Sequence, residues 1–503
     1  MTIFYNKVIP KRCESNYNGT ASKCLLRQYV SKNTASTFQQ AKARKLKEDV
    51  MEEKKQTGYV PVAQKLSYSI ASGGGNIITT IVGSFISAYL TDSVGIGVAT
   101  VSTMMLVNRV FDLFSDFLMG SLVDKTHTKY GKARPWVALS APLIALFLIL
   151  LFSVPDGMGK TGKIVYVYIM YLFINAVAFT VFFISHTALL SRMTLDGMER
   201  QKIASMEQIL NQICGLAVTT FWVPLINKVG YHGTAIVYGV AAGVLILFGF
   251  FGTKENIADI EEIKERKVET EQVPFKKAVG CLAKNKFFWL EMAFFALLLL
   301  HNLSGGMVTY YFCNVVLDDT GYVAILSACG MIPAMVMNLI LPNLVKKFGK
   351  RKMMIAGSVT VIVTSALMGV FTSVLPMVAA LYAIKGFMMG AMFSCAFALT
   401  GDVVDYGEWK FGVRSEGLVM SGVSIGQKIG LGFGPAIAGW ILAVGGYDGM
   451  AETQTASAIA SINFAYTYLA AIIGVVMLLV CLAFNIDKYT AKMQEDLMKK
   501  HAE

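Results

Sequence analysis

Apolar residues run through this sequence in long blocks, each interrupted by a short polar or glycine-rich stretch. About 20 predominantly apolar residues are what a helix needs to cross a hydrocarbon core about 30 Å thick. The first block opens near Leu66, the last closes near Asn485, and twelve can be delimited between them. The pattern predicts an all-α integral membrane protein with twelve transmembrane helices. Between blocks six and seven lies a charged stretch that contains IADIEEIKERKVETEQVPFKK. It divides the chain into an N-terminal six-helix half at 62–252, a cytoplasmic middle loop at 253–286 and a C-terminal six-helix half at 287–486, with a cytoplasmic tail at 487–503. Residues 1–61 have no apolar periodicity able to bury a face and are expected to form a disordered cytoplasmic leader. Met51, which opens MEEKKQTGYVPVAQK, is an alternative start.

Lysine and arginine set the expected orientation. The loops after spans two and eight, DKTHTKYGKAR and KKFGKRK, hold four and five of them, whereas PDGMGKTGK and YDGMAETQTA hold two and none. Positive charge stays on the cytoplasmic side, so both termini are expected there, in a bacterial inner (plasma) membrane. An even number of spans, divided six and six, is the arrangement of the major facilitator fold. There two pseudo-symmetric halves rock around a site near the midplane.

Composition removes other classes. The chain of 503 residues is 55% hydrophobic and 16% charged, against about 25% charged in soluble domains. The net charge of +12 sits in short loops rather than along a soluble face, so no nucleic-acid partner is expected. Eight cysteines, with no CxxC spacing and no histidine cluster, suggest neither a metal site nor a disulfide framework. GxxxxGK[ST] is absent, and with it the motif for ATP-driven transport. No nucleophile or metal constellation marks the chain as an enzyme, and no cofactor is expected.

The chemistry begins in span two, ATVSTMMLVNRVFDLFSDFLMGSLV, with Arg109, Asp112 and Asp116. A charge at bilayer depth costs roughly 2.5 kcal/mol or more even on lenient insertion scales. Positions i and i+4 share a helical face, so the two acids must line a polar cavity. Two close carboxylates need a cation or proton between them, which suits a site for Na⁺ or H⁺. A buried salt-bridge network with Arg109 and the span-eleven lysine, Lys428, is the structural alternative.

The run from Asp112 to Trp136, with D-x-x-x-D, M-G and a loop ending YGKARPW, resembles the glycoside-pentoside-hexuronide:cation symporters, the melibiose carrier-like branch of the major facilitator superfamily. GDVVDYGEWKFGVRSEG at 401–417, Lys428 within GVSIGQKIGLGFGPAIAGWIL, and KLSYSIASGGGN at 65–76 carry the same resemblance, which extends from Lys65 to Tyr489. It implies that Asp112, Asp116 and Thr180 bind the cation, while Lys428 and Arg109 couple it to transport. At the positions where the family holds sugar, this chain departs: Asn76 stands for the first-helix acid, Phe183 for the span-four acid, with Ser185, His186 and Thr187 following, and Gln208 for the span-five arginine, next to Glu207. His301 and Asn302, which interrupt LLLLHNLSGG, and Lys385 are further substrate candidates, and Lys385 and His186 are the cations available to an acidic sugar. Trp289 and Glu291 are expected at the cytoplasmic interface. Asp402, Asp405, Glu408 and Arg414 form an expected cytoplasmic gate that bonds to the loop 125–134 of the other half; a solvated loop is the plainer reading. Gly422, Gly426, Gly430 and Gly434 recur every fourth residue, the small-xxx-small pattern of close helix packing.

The expected activity is symport of a glycoside, oligosaccharide or sugar acid with Na⁺ or H⁺ by alternating access. The partners are the sugar, a monovalent cation and the lipid bilayer, and the protein is expected to be a monomer. The alternatives are a lipid or lysolipid carrier of the same fold and a non-transporting membrane sensor.

Overall fold

A computed structural model describes residues 59–155, 157–194, 197–255, 275–413 and 415–502. The leader, most of the middle loop and the gate candidate Arg414 lie outside the described residues. Among the described residues there is no strand, only an isolated bridge between Thr128 and Gly131.

The helices follow the apolar blocks. In chain order they are α1 (Val62–Ser84), α2 (Val98–Lys125), α3 (Arg134–Leu151) and α4 (Lys160–Met193). A single helical run, Gly197–Gly252, follows and bends at Gly230 into two arms, α5 (197–229) and α6 (231–252). Then come α7 (Lys286–Val316), α8 (Tyr322–Phe348), α9 (Lys350–Val370), α10 (Leu375–Phe411), α11 (Glu416–Val444) and α12, which begins at Ala456. Among the described residues, nine helices are long and apolar enough to cross a membrane, or ten when α1 is joined to its bent continuation Ile86–Ser93. The shortfall from twelve has physical causes. Arg109, Asp112 and Asp116 interrupt α2, and the α5–α6 run, 56 residues long, counts once although at about 1.5 Å per residue it is far longer than one bilayer crossing. Its bend comes from Gly230, which has φ +72°. With ψ 176° it lies in a region open almost only to glycine, costing a residue with a Cβ about 1–3 kcal/mol.

Glycines also position the neighbours of the site. Gly73, Gly74 and Gly75 are successive, so each faces a different side of α1. Gly73 abuts Cys214 on α5, Gly74 abuts Ala242 on α6 and Gly75 abuts Phe182 on α4. The α11 stripe Gly422, Gly426, Gly430 and Gly434 packs on Phe288, Met292, Ala296 and Leu300 of α7. Here small residues let backbones approach where lipid offers no hydrophobic drive.

Contacts define two ends of the bundle. At one end, Lys65 pairs with Glu199 at the start of α5 at 2.5 Å. Arg134 donates to the Phe250 carbonyl at 2.7 Å, and Arg351 to the Cys481 carbonyl at 3.1 Å. The end of α1 and the starts of α2 and α6 lie at the opposite end. So do the ends of α7 and α11.

Candidate functional site

The acidic cluster is built from three helices. Asp112, Ser115 and Asp116 come from one face of α2. Across from them α4 contains a π-helical stretch, Phe173–Phe179, directly before Thr180. Across the π-turn the Thr180 amide donates to the Asn175 carbonyl five residues back, and the Thr180 hydroxyl lies 3.2 Å from the same oxygen. The same hydroxyl lies 3.3 Å from Asp116 Oδ1 and 3.3 Å from Ser115 Oγ. Arg109 donates to Asp112 Oδ2 at 2.8 Å, and Lys428 of α11 pairs with Asp116. Asp112 Oδ1 is buried and has no hydrogen-bond partner. The structure thus brings together Asp112, Asp116, Thr180, Arg109 and Lys428, with Ser115 added. Two carboxylates face two cations, and oxygen ligands remain between them. A hard cation replaces its water with oxygens of this kind.

A second polar group lies on α1, α4 and α5. His186 is stacked between Tyr68, at 3.8 Å between ring centroids, and Phe182, at 5.0 Å. Its Nε2 faces Glu207 Oε1 at 3.6 Å, and Ser72 donates to that same oxygen at 2.6 Å. Asn76 donates to the Asn211 carbonyl at 2.6 Å. Among the span-five candidates, then, Glu207 and not Gln208 meets His186 and α1. Gln208 and Asn302 are exposed, and their side chains make no hydrogen bond among the described residues. Phe183 is 49% exposed and its ring stacks on Phe179. The exposed Thr187 donates back to the Phe183 carbonyl at 2.8 Å.

The α7–α10 candidates lie elsewhere. His301 is buried, its Nδ1 without a partner. Lys385 is 6% exposed, and its ammonium lies over the rings of Tyr382 and Tyr466, 4.6 and 5.8 Å from their centroids. Tyr466 belongs to α12 (456–483), so Lys385 turns into the packing of the later helices and does not face α1 and α5. Glu291 requires a correction. Expected at an interface, it is 3% exposed and accepts from Thr400 of α10 at 2.5 Å. It points across the α7–α10 contact, where a threonine supplies the donor that burial demands.

The expected gate residues stand on a helix, because α10 runs on to Phe411. Asp402 pairs with Lys350 of α9 at 2.8 Å, Glu408 is buried and Asp405 half-buried. The loop 125–134 is bonded within its own neighbourhood: the Lys132, Ala133 and Arg134 amides donate to Glu255 at 3.1, 2.8 and 3.1 Å. The hydrogen bonds that do join α1–α6 to α7–α12 among the described residues lie at the other end, apart from Lys428–Asp116 itself. Tyr447 donates to Asp92 Oδ1 at 2.8 Å. Tyr311 meets Ser87 at 2.9 Å and Thr91 at 3.1 Å, and Trp440 donates to Thr103 at 3.3 Å.

Sequence reasoning missed Asp92, Ser115 and the hydrogen-bonded role of Glu207. Asp92 closes the first apolar block, where a charge is unremarkable. Ser115 follows from the face that Asp112 and Asp116 define, one residue short of the second acid. Glu207 needed the rotation of α5 to be known.

Comparison with known proteins gives the family. Residues 67–488 match the family model described as MFS/sugar transport protein. The isoprimeverose transporter of Lactiplantibacillus pentosus is 30% identical over 460 residues, covering 88% of this chain and 93% of that protein. The inner membrane symporter YicJ of Escherichia coli K12 is 30% identical over 431 residues, covering 82% and 89% respectively. The crystal structure of the nucleoside transporter NupG superposes with a TM-score of 0.59 at 15% identity, covering 83% of this chain and 98% of that one, a likeness of fold alone. With the family model spanning most of its length, this chain belongs to the MFS/sugar transport protein family, as a multi-pass membrane transporter of the glycoside-pentoside-hexuronide:cation symporter type and not an enzyme.

Proposed function

We propose that this protein imports a glycoside or oligosaccharide together with Na⁺ or H⁺, using twelve crossings arranged as two six-helix halves, α1–α6 and α7–α12. The observation that carries the proposal is the cluster in which Asp112 and Asp116 of one half meet Lys428 of the other, with the Thr180 and Ser115 hydroxyls beside them. A cation entering between the carboxylates competes with Lys428 for Asp116. Its binding therefore releases a tie between the halves, which is how occupancy of an ion site becomes movement. Isoprimeverose, the substrate in the name of one relative, is the first sugar to try. By the lysine and arginine count both termini face the cytoplasm. The halves are then joined at the outer end, and the described conformation is the one that opens inward.

The test is uptake into proteoliposomes. Isoprimeverose and a panel of neutral glycosides should drive measurable Na⁺ or H⁺ entry, and an imposed cation gradient should concentrate the sugar. Sugar flux with no cation movement under any gradient would remove the symport reading.

The outer junction yields a further expected result. Tyr447→Phe removes a hydrogen bond to the Asp92 carboxylate, a class of bond worth about 1.5–3 kcal/mol. Loss of that much should shift the balance toward the outward-open state by roughly tenfold or more. A cysteine placed at Ser102, which is buried against Gly439 of α11, should then react faster with a membrane-impermeant maleimide than the same cysteine in a protein that keeps Tyr447; equal rates would mean that Tyr447 does not hold the closure.

A further inference from the structure

The charged groups that a sugar would meet are unevenly deployed. Arg109 is bonded to Asp112 and Lys428 to Asp116, so these four balance one another. Lys385 lies under the Tyr382 and Tyr466 rings, facing α12. His186 is clamped between two aromatic rings, and the nitrogen that faces out of the clamp faces Glu207. Glu207 itself keeps 21% of its side-chain surface open, with Oε1 fixed by Ser72. Beside it on the same pair of helices are Asn76 and Asn211, the latter with a buried and unpartnered Oδ1. Around Glu207 the wall formed by α1 and α5 therefore presents oxygen acceptors, while the cations of these two helices stand toward their ends, Lys65, Arg200 and Lys202 at one and Lys228 at the other.

We infer that this wall selects uncharged, polyhydroxylated ligands, with Glu207 accepting sugar hydroxyls and turning away sugars that carry a carboxylate or sulfonate. The inference rests on the symporter reading and narrows its substrate class to neutral glycosides. A hydroxyl donates to a carboxylate in a charge-assisted bond, about twice as strong as a neutral one. A ligand carboxylate placed there would meet like charge in a partly desolvated site, where repulsion is weakly screened. Ser72 and His186 act as positioning residues, since they hold one carboxylate oxygen and leave the other for the ligand.

The test uses a matched pair, nitrophenyl glucoside and nitrophenyl glucuronide, which differ in one carboxylate, as competitors of labelled isoprimeverose uptake by the full-length protein in proteoliposomes. The glucoside should compete at a concentration at least about tenfold lower than the glucuronide, the size expected for one charge-assisted bond gained or lost. Glu207→Gln should weaken competition by the glucoside roughly tenfold and shrink the gap between the two. Cation binding by Asp112 and Asp116, read from cation-dependent protection of the protein against heat, should stay unchanged in that variant. Equal competition by the two compounds in the parent protein overturns the inference without any variant, as does an unchanged ratio in inserted Glu207→Gln. If the glucuronide is concentrated and neutral sugars are not, symport stands and the inference falls. If neither is moved, both fall.

Discussion

Replacing Asp116 with cysteine should abolish cation-driven accumulation of sugar while leaving an inserted, folded protein. Asp116 is where three elements converge: Lys428 pairs with it across the bundle, and Thr180 hydrogen-bonds its other oxygen. Cysteine fits the space but supplies no charge, so the cation loses a hard oxygen ligand and Lys428 loses its counter-ion. A charge interaction lost from a buried site costs about 2–5 kcal/mol; this site is part-buried, so the lower end is expected, a loss of cation affinity of about thirtyfold. In vesicles with an inward Na⁺ or H⁺ gradient, the internal sugar concentration should rise only to the external one. Exchange of labelled for unlabelled sugar at equal concentrations reports whether the protein still reorients. Accumulation at the parental level in the mutant would remove Asp116 from the ion site.

Lys428→Gln should fail differently. Without the lysine, Asp116 is free to hold the cation in every conformation, so cation affinity rises while the obligation to move with sugar is relaxed. Sugar accumulation should drop by at least about tenfold, on the scale of one buried charge interaction, and a sugar-independent cation leak should appear. The two variants thus separate ligand from coupler: one loses the ion, the other keeps it and loses control of it. A Lys428→Gln protein with tight coupling would assign the lysine a purely structural role.

What was readable in the sequence follows from energetics. Asp112 and Asp116 could be found because charges at bilayer depth are expensive, and a spacing of four fixes their common face. Lys428 followed, because a second intramembrane charge needs an opposite one. The break between the fifth and sixth spans was legible too, and a single glycine at positive φ makes it. The wall of α1 and α5 proposed for the substrate was not. One residue along a helix is a turn of about 100°, so Gln208 and Glu207 face different surroundings, and only the packing of α5 on α1 decides between them. Glu291 was misplaced for a related reason: nearness to a helix end does not reveal which neighbour it faces, and Thr400 is more than a hundred residues away in sequence. The acidic motif after the tenth span read as a loop because it is charged, whereas α10 carries it as helix to Phe411.

The junction of Asp92 and Tyr447, with Tyr311, Ser87 and Thr91, contains one acid and several hydroxyls and no ion pair among the described residues. Mobile ions screen opposite charges over about 8 Å at physiological ionic strength, but they have little to act on in bonds whose donors are neutral. The resting closure is therefore indifferent to salinity. Under the proposed symport, a carrier shut in this way idles in the same state in dilute and in salty surroundings, and a rise in external salt leaves its door closed.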